Sequence, residues 1–120
     1  MFVNFSNHSS HLWTPMQKIA AQAYGEIIDL PFPAVSPDAS ADEIIALATE
    51  YTDLICSMTP SAVLCQGEYT LAFAVVSRLK QRGVTVFAAC SKRRVDEYAE
   101  RDTTRKTSVF EFRQLREYTY

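Results

Sequence analysis

Glycine is scarce in this chain: there are three, at Gly25, Gly67 and Gly83, each standing alone. That scarcity excludes the G-x-G-x-x-G and Walker A phosphate loops, which need glycines at fixed short spacing. Cysteine is limited to Cys56, Cys65 and Cys90, with no C-x-x-C pair among them. An odd count without a framework fits free thiols in a reducing compartment, and neither their spacing nor that of the two histidines makes a zinc site. No run nears the roughly 18 apolar residues of a membrane span. The N-terminus also lacks the basic and apolar regions of a secretory leader. A cytoplasmic protein without membrane attachment, metal or cofactor is expected.

Basic side chains are missing from most of the chain. Residues 1–77 hold only Lys18 against eight acidic groups, a net of −7, while residues 78–120 hold eleven basic against six acidic, a net of +5. The total of −2 argues against coating of duplex nucleic acid. The segregation permits a local anion site or an electrostatically complementary self-association.

At 120 residues the chain has the length of one domain, 1–120, without repeat or linker. Met1–Phe5 reads as a first strand. Thr14 and Pro15 supply an N-cap and first-turn proline, Met16, Ile19, Ala20 and Ala23 follow at helical spacing, and Gly25 ends the helix. Glu26–Leu30 is a second strand. Ser40 and Glu43 form a capping box for a helix running through Ile44, Leu47, Ala48, Tyr51, Leu54, Ile55 and Met58. Ala62–Cys65 is a short buried strand, followed by a helix with Leu71, Val75, Val76 and Leu79 inward. Val84–Cys90 is a fourth strand, Ser91–Arg94 the loop after it, 96–107 a charged stretch, and Ser108–Leu115 a final strand.

This alternation predicts an α/β fold, a three-layer sandwich with a mostly parallel sheet. Right-handed crossovers give the strand order 2-1-3-4, with the C-terminal strand at the strand-four edge. The sheet reverses between strands one and three, where ligands of open α/β sheets bind. Three segments therefore fall at one end of the sheet. The polar run Ser6-Asn7-His8-Ser9-Ser10-His11 offers hydroxyls, an amide and two imidazoles; His8 or His11 could move a proton, hold a phosphate, or merely cap a turn. Gln66-Gly67-Glu68-Tyr69-Thr70 is a strand-to-helix turn able to face an anion, in which Glu68 also complements the helix dipole. Ser91-Lys92-Arg93-Arg94 is a candidate phosphate clamp with Arg93 foremost, or a solvated loop. Trp13 and Tyr69 could stack on bases, as could Phe32, which has a packing role beneath Pro31 and Pro33 as its plainer reading. A small ligand bearing phosphate and base fits such a crevice better than a duplex does.

Several of these blocks resemble a known family. Asn4-Phe5-Ser6-Asn7-His8, Gly25–Pro33, Gln66–Leu71, Ala89–Arg94 and Phe112–Tyr118 are similar to small CRISPR-associated proteins with a Rossmann-like fold. The resemblance implies binding of cyclic oligoadenylate, typically the four-adenosine ring, in type III CRISPR defence. It further implies either a metal-independent ring nuclease that switches the signal off or a non-catalytic sponge or sensor. For cleavage, a ribose 2′-hydroxyl attacks the adjacent phosphate. His8 would act as base or acid and Arg93 or Lys92 as phosphate clamp, with Glu68 an alternative base. Ser6, Asn7, Gln66 and Thr70 would position the ring; Ser9, His11, Gly67, Tyr69, Ser91 and Arg94 complete the candidate contacts. A pseudo-symmetric ring also suits a homodimer or higher homo-oligomer. Two other readings stand beside these: a nucleoside N-glycosidase with Glu68 as nucleophile, and a subunit of a larger assembly whose polar loops are structural. With 108–120 needed for a strand, no appended effector domain is expected.

Overall fold

The structure is a computed structural model describing residues 1–100 and 103–120, with side chains described for 1–95 and 109–120. Five strands form one sheet in the order β2-β1-β3-β4-β5. They are β1 (Phe2–Ser6), β2 (Ile27–Pro31), β3 (Ala62–Cys65), β4 (Val86–Glu100) and β5 (Thr103–Glu117). The first four are parallel, and β5 runs antiparallel to β4. The helices are α1 (Pro15–Gln22), α2 (Ala41–Ser57) and α3 (Tyr69–Gln81), with a single 3₁₀ turn at Ser10–Leu12. This is the α/β architecture and strand order expected from the alternation of elements.

Local chemistry accounts for the helix boundaries. The Thr14 hydroxyl accepts from the Gln17 N–H at 3.3 Å, and the Ser40 hydroxyl from the Glu43 N–H at 3.1 Å. Gly25 closes the α1 connection at φ +118°, where a Cβ would lie 3.1 Å from the Met1 nitrogen. β1 is buried on both sides, as a central parallel strand must be. Its alternate residues serve different layers. Val3 and Phe5 join Val63, Cys65 and Val86 beneath α2 and α3, whereas Phe2 packs with Ala62, Leu64, Phe87 and Trp13 on the α1 side.

Two points go beyond the sequence reading, the second as a correction. Met16, Ile19 and Ala23 do share one face of α1, but that face points to solvent, and Ala21 is the buried residue of this helix. Periodicity groups side chains onto a face without saying which way the face points. Second, Ser91–Arg94 is not a loop. β4 runs past Cys90, its pairing with β5 extending from Phe87–Glu117 out to Glu100–Thr103. Between Cys90–Gln114 and Ser91–Phe112 the register slips, leaving Arg113 as the extra residue of a bulge. β3 reaches only Val86 and Phe87 of β4, so the outer part of the hairpin is a two-stranded arm. The charged stretch 96–107 builds this arm; its side chains and residues 101–102 lie outside the described residues. The arm raises the radius of gyration to 17.0 Å, against about 14 Å for a globule of this length.

Candidate functional site

The loop after β1 is held by an unusual set of bonds. Asn4, 1% exposed, projects from the middle of β1 beside Asp29 of β2, its register partner. One Asn4 Nδ2 hydrogen goes to Asp29 Oδ1 at 2.9 Å and the other to the His8 carbonyl at 2.8 Å. The Ser6 hydroxyl donates to Asn4 Oδ1 at 2.7 Å and accepts from the His8 N–H at 3.2 Å. Both faces of the His8 peptide are thereby clamped by β1 side chains. Asp29 also receives the Ser10 N–H at 3.2 Å, the Ser10 hydroxyl at 3.0 Å and the Ser9 hydroxyl at 3.3 Å. Partial burial would raise the Asp29 carboxyl, but the bonds from Asn4, Ser10 and Ser9 outweigh it and hold it below its ordinary value.

His8 itself is exposed, and no described side chain orients its imidazole. It stands between two cavities. One, of about 480 Å³, lies on the α1 side and is walled by Ser6, His8, Trp13, Gln66, Ser91 and Phe112, among others. The second, of about 340 Å³, lies toward α3 and adds Asn7, Gly67, Tyr69 and Tyr118 to His8 and Gln66. Gln66 is thus the second shared wall. Its Oε1 accepts from the Ala89 N–H at 2.7 Å, which fixes the side chain and leaves the two Nε2 hydrogens without a partner among the described residues. The facing of the β1 and β3 loops, expected from the reversal of strand order, is present.

Other candidates take structural work. Glu68 is the N-cap of α3: its carboxylate accepts the Thr70 N–H at 3.1 Å, the Leu71 N–H at 2.9 Å and the Thr70 hydroxyl at 2.7 Å. Those bonds, the Thr70 hydroxyl first, lower its pKa and commit both oxygens. Gly67 is required by packing, since a Cβ there would lie 2.6 Å from the Phe32 ring. Phe32 is buried against Phe5, ring centroids 4.7 Å apart, so it is core. Trp13 is buried edge-on to Phe2 and presents a wall to the larger cavity. Tyr69 is almost fully exposed at the smaller one. The Ser9 hydroxyl caps the 3₁₀ turn by accepting from the His11 N–H, and His11 lies on that turn away from either cavity.

Of Ser91–Arg94, Ser91 lines the cavity on the α1 side, and the other three line neither of the two cavities beside His8. The antiparallel register pairs Ser91 with Phe112 and Arg93 with Phe110, so these four share the cavity side of the arm and Arg93 stands just beyond the cavity mouth. Lys92 and Arg94 fall on the opposite side, where Arg94 pairs with Glu111. Among the described residues no group of three or more His, Cys, Asp or Glu comes together. No helix there is long and apolar enough to cross a membrane. Burial pushes the Cys65 thiol up to about 12, and its carbonyl accepts from the Tyr118 hydroxyl at 2.9 Å.

Comparison with protein families matches residues 1–116 to the one described as "Uncharacterized protein MJ1673 family". The chain belongs to the MJ1673 family. No match was found among curated proteins or among solved structures.

Sequence reasoning reached His8 and Gln66 but not Asn4 and Asp29 as site residues. Their signal was a polar side chain interrupting an apolar strand, Phe-Val-Asn-Phe and Ile-Ile-Asp-Leu, where burial of an unpaired polar group is costly.

Proposed function

We propose that this protein binds a cyclic oligoadenylate, the four-adenosine ring in particular, across the β1–β3 crevice and cleaves it as a metal-independent ring nuclease. The observation that carries the reading is the His8–Gln66 wall. An unengaged imidazole on a doubly clamped peptide stands beside a fixed amide with two unused donors, between two cavities at the reversal point of the sheet. The larger cavity mixes apolar and hydroxyl walls and has the size of a base with its ribose, and Arg93 at its mouth is placed for a phosphate. In cleavage, the ribose 2′-oxygen attacks phosphorus, its proton passes to His8, and the bond to the 5′ oxygen breaks. That oxygen takes a proton from solvent, leaving a 2′,3′-cyclic phosphate and a 5′-hydroxyl. The Gln66 N–H donors and Arg93 stabilise charge on the phosphoryl oxygens.

A second reading, a sponge or sensor holding the intact ring, is favoured by one observation: no described side chain orients the His8 imidazole, as a committed general base usually requires. The N-glycosidase alternative is weakened by the capping role of Glu68. Incubation of the protein with labelled cyclic tetra-adenylate in EDTA separates these readings. Linear product whose formation falls about 100-fold or more in His8→Ala supports cleavage. A stoichiometric complex with an intact ring means a sponge, and free adenine a glycosidase. A ring neither bound nor cut refutes the proposal.

A further inference from the structure

The smaller cavity beside His8 has two fixed polar walls of opposite character. The parallel ladder of β3 and β4 ends at Leu64–Phe87. Its next bond would run from the Ala89 N–H to the Cys65 carbonyl. Two side chains take those groups instead: Gln66 Oε1 accepts from the Ala89 N–H at 2.7 Å, and the Tyr118 hydroxyl donates to the Cys65 carbonyl at 2.9 Å. The strands open there into a fork, and both side chains line the cavity of about 340 Å³. Each is left with one kind of bonding capacity. Gln66 has turned its oxygen to the strand and keeps its Nε2 donors, whereas Tyr118 has spent its one hydrogen and can only accept. Burial raises the Tyr118 hydroxyl above its ordinary value, and the Cys65 and Cys90 thiols add to the rise, so the proton stays in place at neutral pH. The rest of the wall is low: Gly67 carries no side chain, Ala72 only a methyl, and the exposed Tyr69 ring stands beside them.

We infer that this cavity reads a nucleotide base by its amino-bearing edge, with Tyr118 as the specificity-determining residue and adenine as the purine that fits. Adenine sets an accepting ring nitrogen beside a donating amino group, at N1 with N6 and again at N7 with N6. The Gln66 donor meets the ring nitrogen, and Tyr118 Oη takes a hydrogen of the amino group. Gln66 carries two such donors, so one remains for a phosphoryl oxygen. Hypoxanthine and guanine put a carbonyl oxygen where adenine has its amino group, and that oxygen faces the Tyr118 lone pairs. To donate to it, the Tyr118 hydroxyl must release the carbonyl of Cys65, a fully buried residue, which strands a buried acceptor. A phosphate meets the same obstacle, having only acceptors to offer. The cavity therefore suits a base and the wall beside it a phosphate. The inference rests on the nucleotide reading of the crevice and adds a second base to it, one in each cavity with the His8–Gln66 wall between them.

Equilibrium dialysis with two matched pairs tests it: AMP against IMP, and cyclic tetra-adenylate against cyclic tetra-inosinate. Within each pair the purine amino group is exchanged for a carbonyl. The wild type is expected to hold the adenine member about tenfold tighter, the worth of one hydrogen bond. Tyr118→Phe keeps the aromatic ring and removes the oxygen. A purely structural loss would weaken both members of a pair alike, whereas the expected result is a ratio that falls to near unity, circular dichroism confirming the fold. Gln66→Glu still accepts from the Ala89 N–H but offers an acceptor in place of the donor. It is expected to lower the ratio as well, and it carries the test if Tyr118→Phe does not fold. A wild-type ratio near unity for both pairs, or a preference that survives in the folded variants, would overturn the inference. A preference for AMP that collapses in the variants, with a ring neither bound nor cut, upholds the base reading and refutes the ring nuclease. Equal cutting of both rings without any preference does the reverse.

Discussion

Replacing Asp29 with alanine tests whether the β1 loop is preorganised by the strand beside it. The carboxylate receives four donors, but they do not count equally. Ser9 and Ser10 are near solvent, and water can replace much of what they lose. The bond from Asn4 Nδ2 is different, because Asn4 is buried and that hydrogen has no other acceptor. Stranding a buried donor costs about 1–3 kcal/mol. A global loss of about 1.5 kcal/mol is therefore expected, lowering Tm by roughly 6 °C for a chain of this size.

The loop should loosen more than the fold. Hydrogen exchange at the Ser10 N–H, which loses its acceptor outright, is expected to quicken at least tenfold, whereas amides of β1 and β3 should slow or quicken only with global stability. The acid dependence has a definite sign. A folded-state pKa held below its unfolded value stabilises fully above the unfolded pKa, and that stabilisation fades as pH falls through the folded one. The gap between wild type and Asp29→Ala should therefore close below about pH 4. An unchanged Tm together with unchanged Ser10 exchange would refute the clamp. A gap that widened in acid would refute the assignment of the carboxylate as the acceptor.

Two further substitutions probe packing. Gly67→Ala drives a methyl into the Phe32 ring and is expected to cost about 1–3 kcal/mol in urea denaturation, part of it recovered in the Gly67→Ala, Phe32→Leu double variant; independent, additive losses would show that the contact does not limit the site. Thr52 buries a hydroxyl without a hydrogen-bond partner in α2, so Thr52→Val is expected to stabilise by about 1 kcal/mol in the same assay, and destabilisation would show that the hydroxyl is bonded in solution.

The parts of the fold that bury at least one face were legible in the sequence, and the parts that bury neither were not. β1, β3 and α3 carry apolar patterns with a single solution, and right-handed crossovers then fix the strand order. The described residues 91–95, 109 and 110 are exposed on both sides of the arm, so Ser91–Arg94 reads as a loop although hydrogen bonds continue it as strand. For α1 the spacing was legible but its direction was not: an apolar face that points to solvent has the same periodicity as one that faces the core. Asn4 and Asp29 are partners 25 residues apart, joined only by register between β1 and β2, which no local pattern encodes.

The division of labour around His8 bears on chemistry as well as on folding. Its peptide is fixed through Asn4 and Ser6, which are themselves buried or tied to Asp29, so the position of the residue is settled before any ligand arrives. Its imidazole is left to be aligned by what enters the crevice. A site built in this way separates where the proton acceptor stands from which way it points. Binding alone would need the first, whereas cleavage by in-line attack needs both, because the acceptor must meet the 2′-hydroxyl while the phosphate lies between attacking and leaving oxygens. The cavity on the α1 side is open at the exposed Leu12 and Phe110, so a ring bound there would leave His8 wet, and its in-line alignment would have to come from the ring's own contacts with the walls.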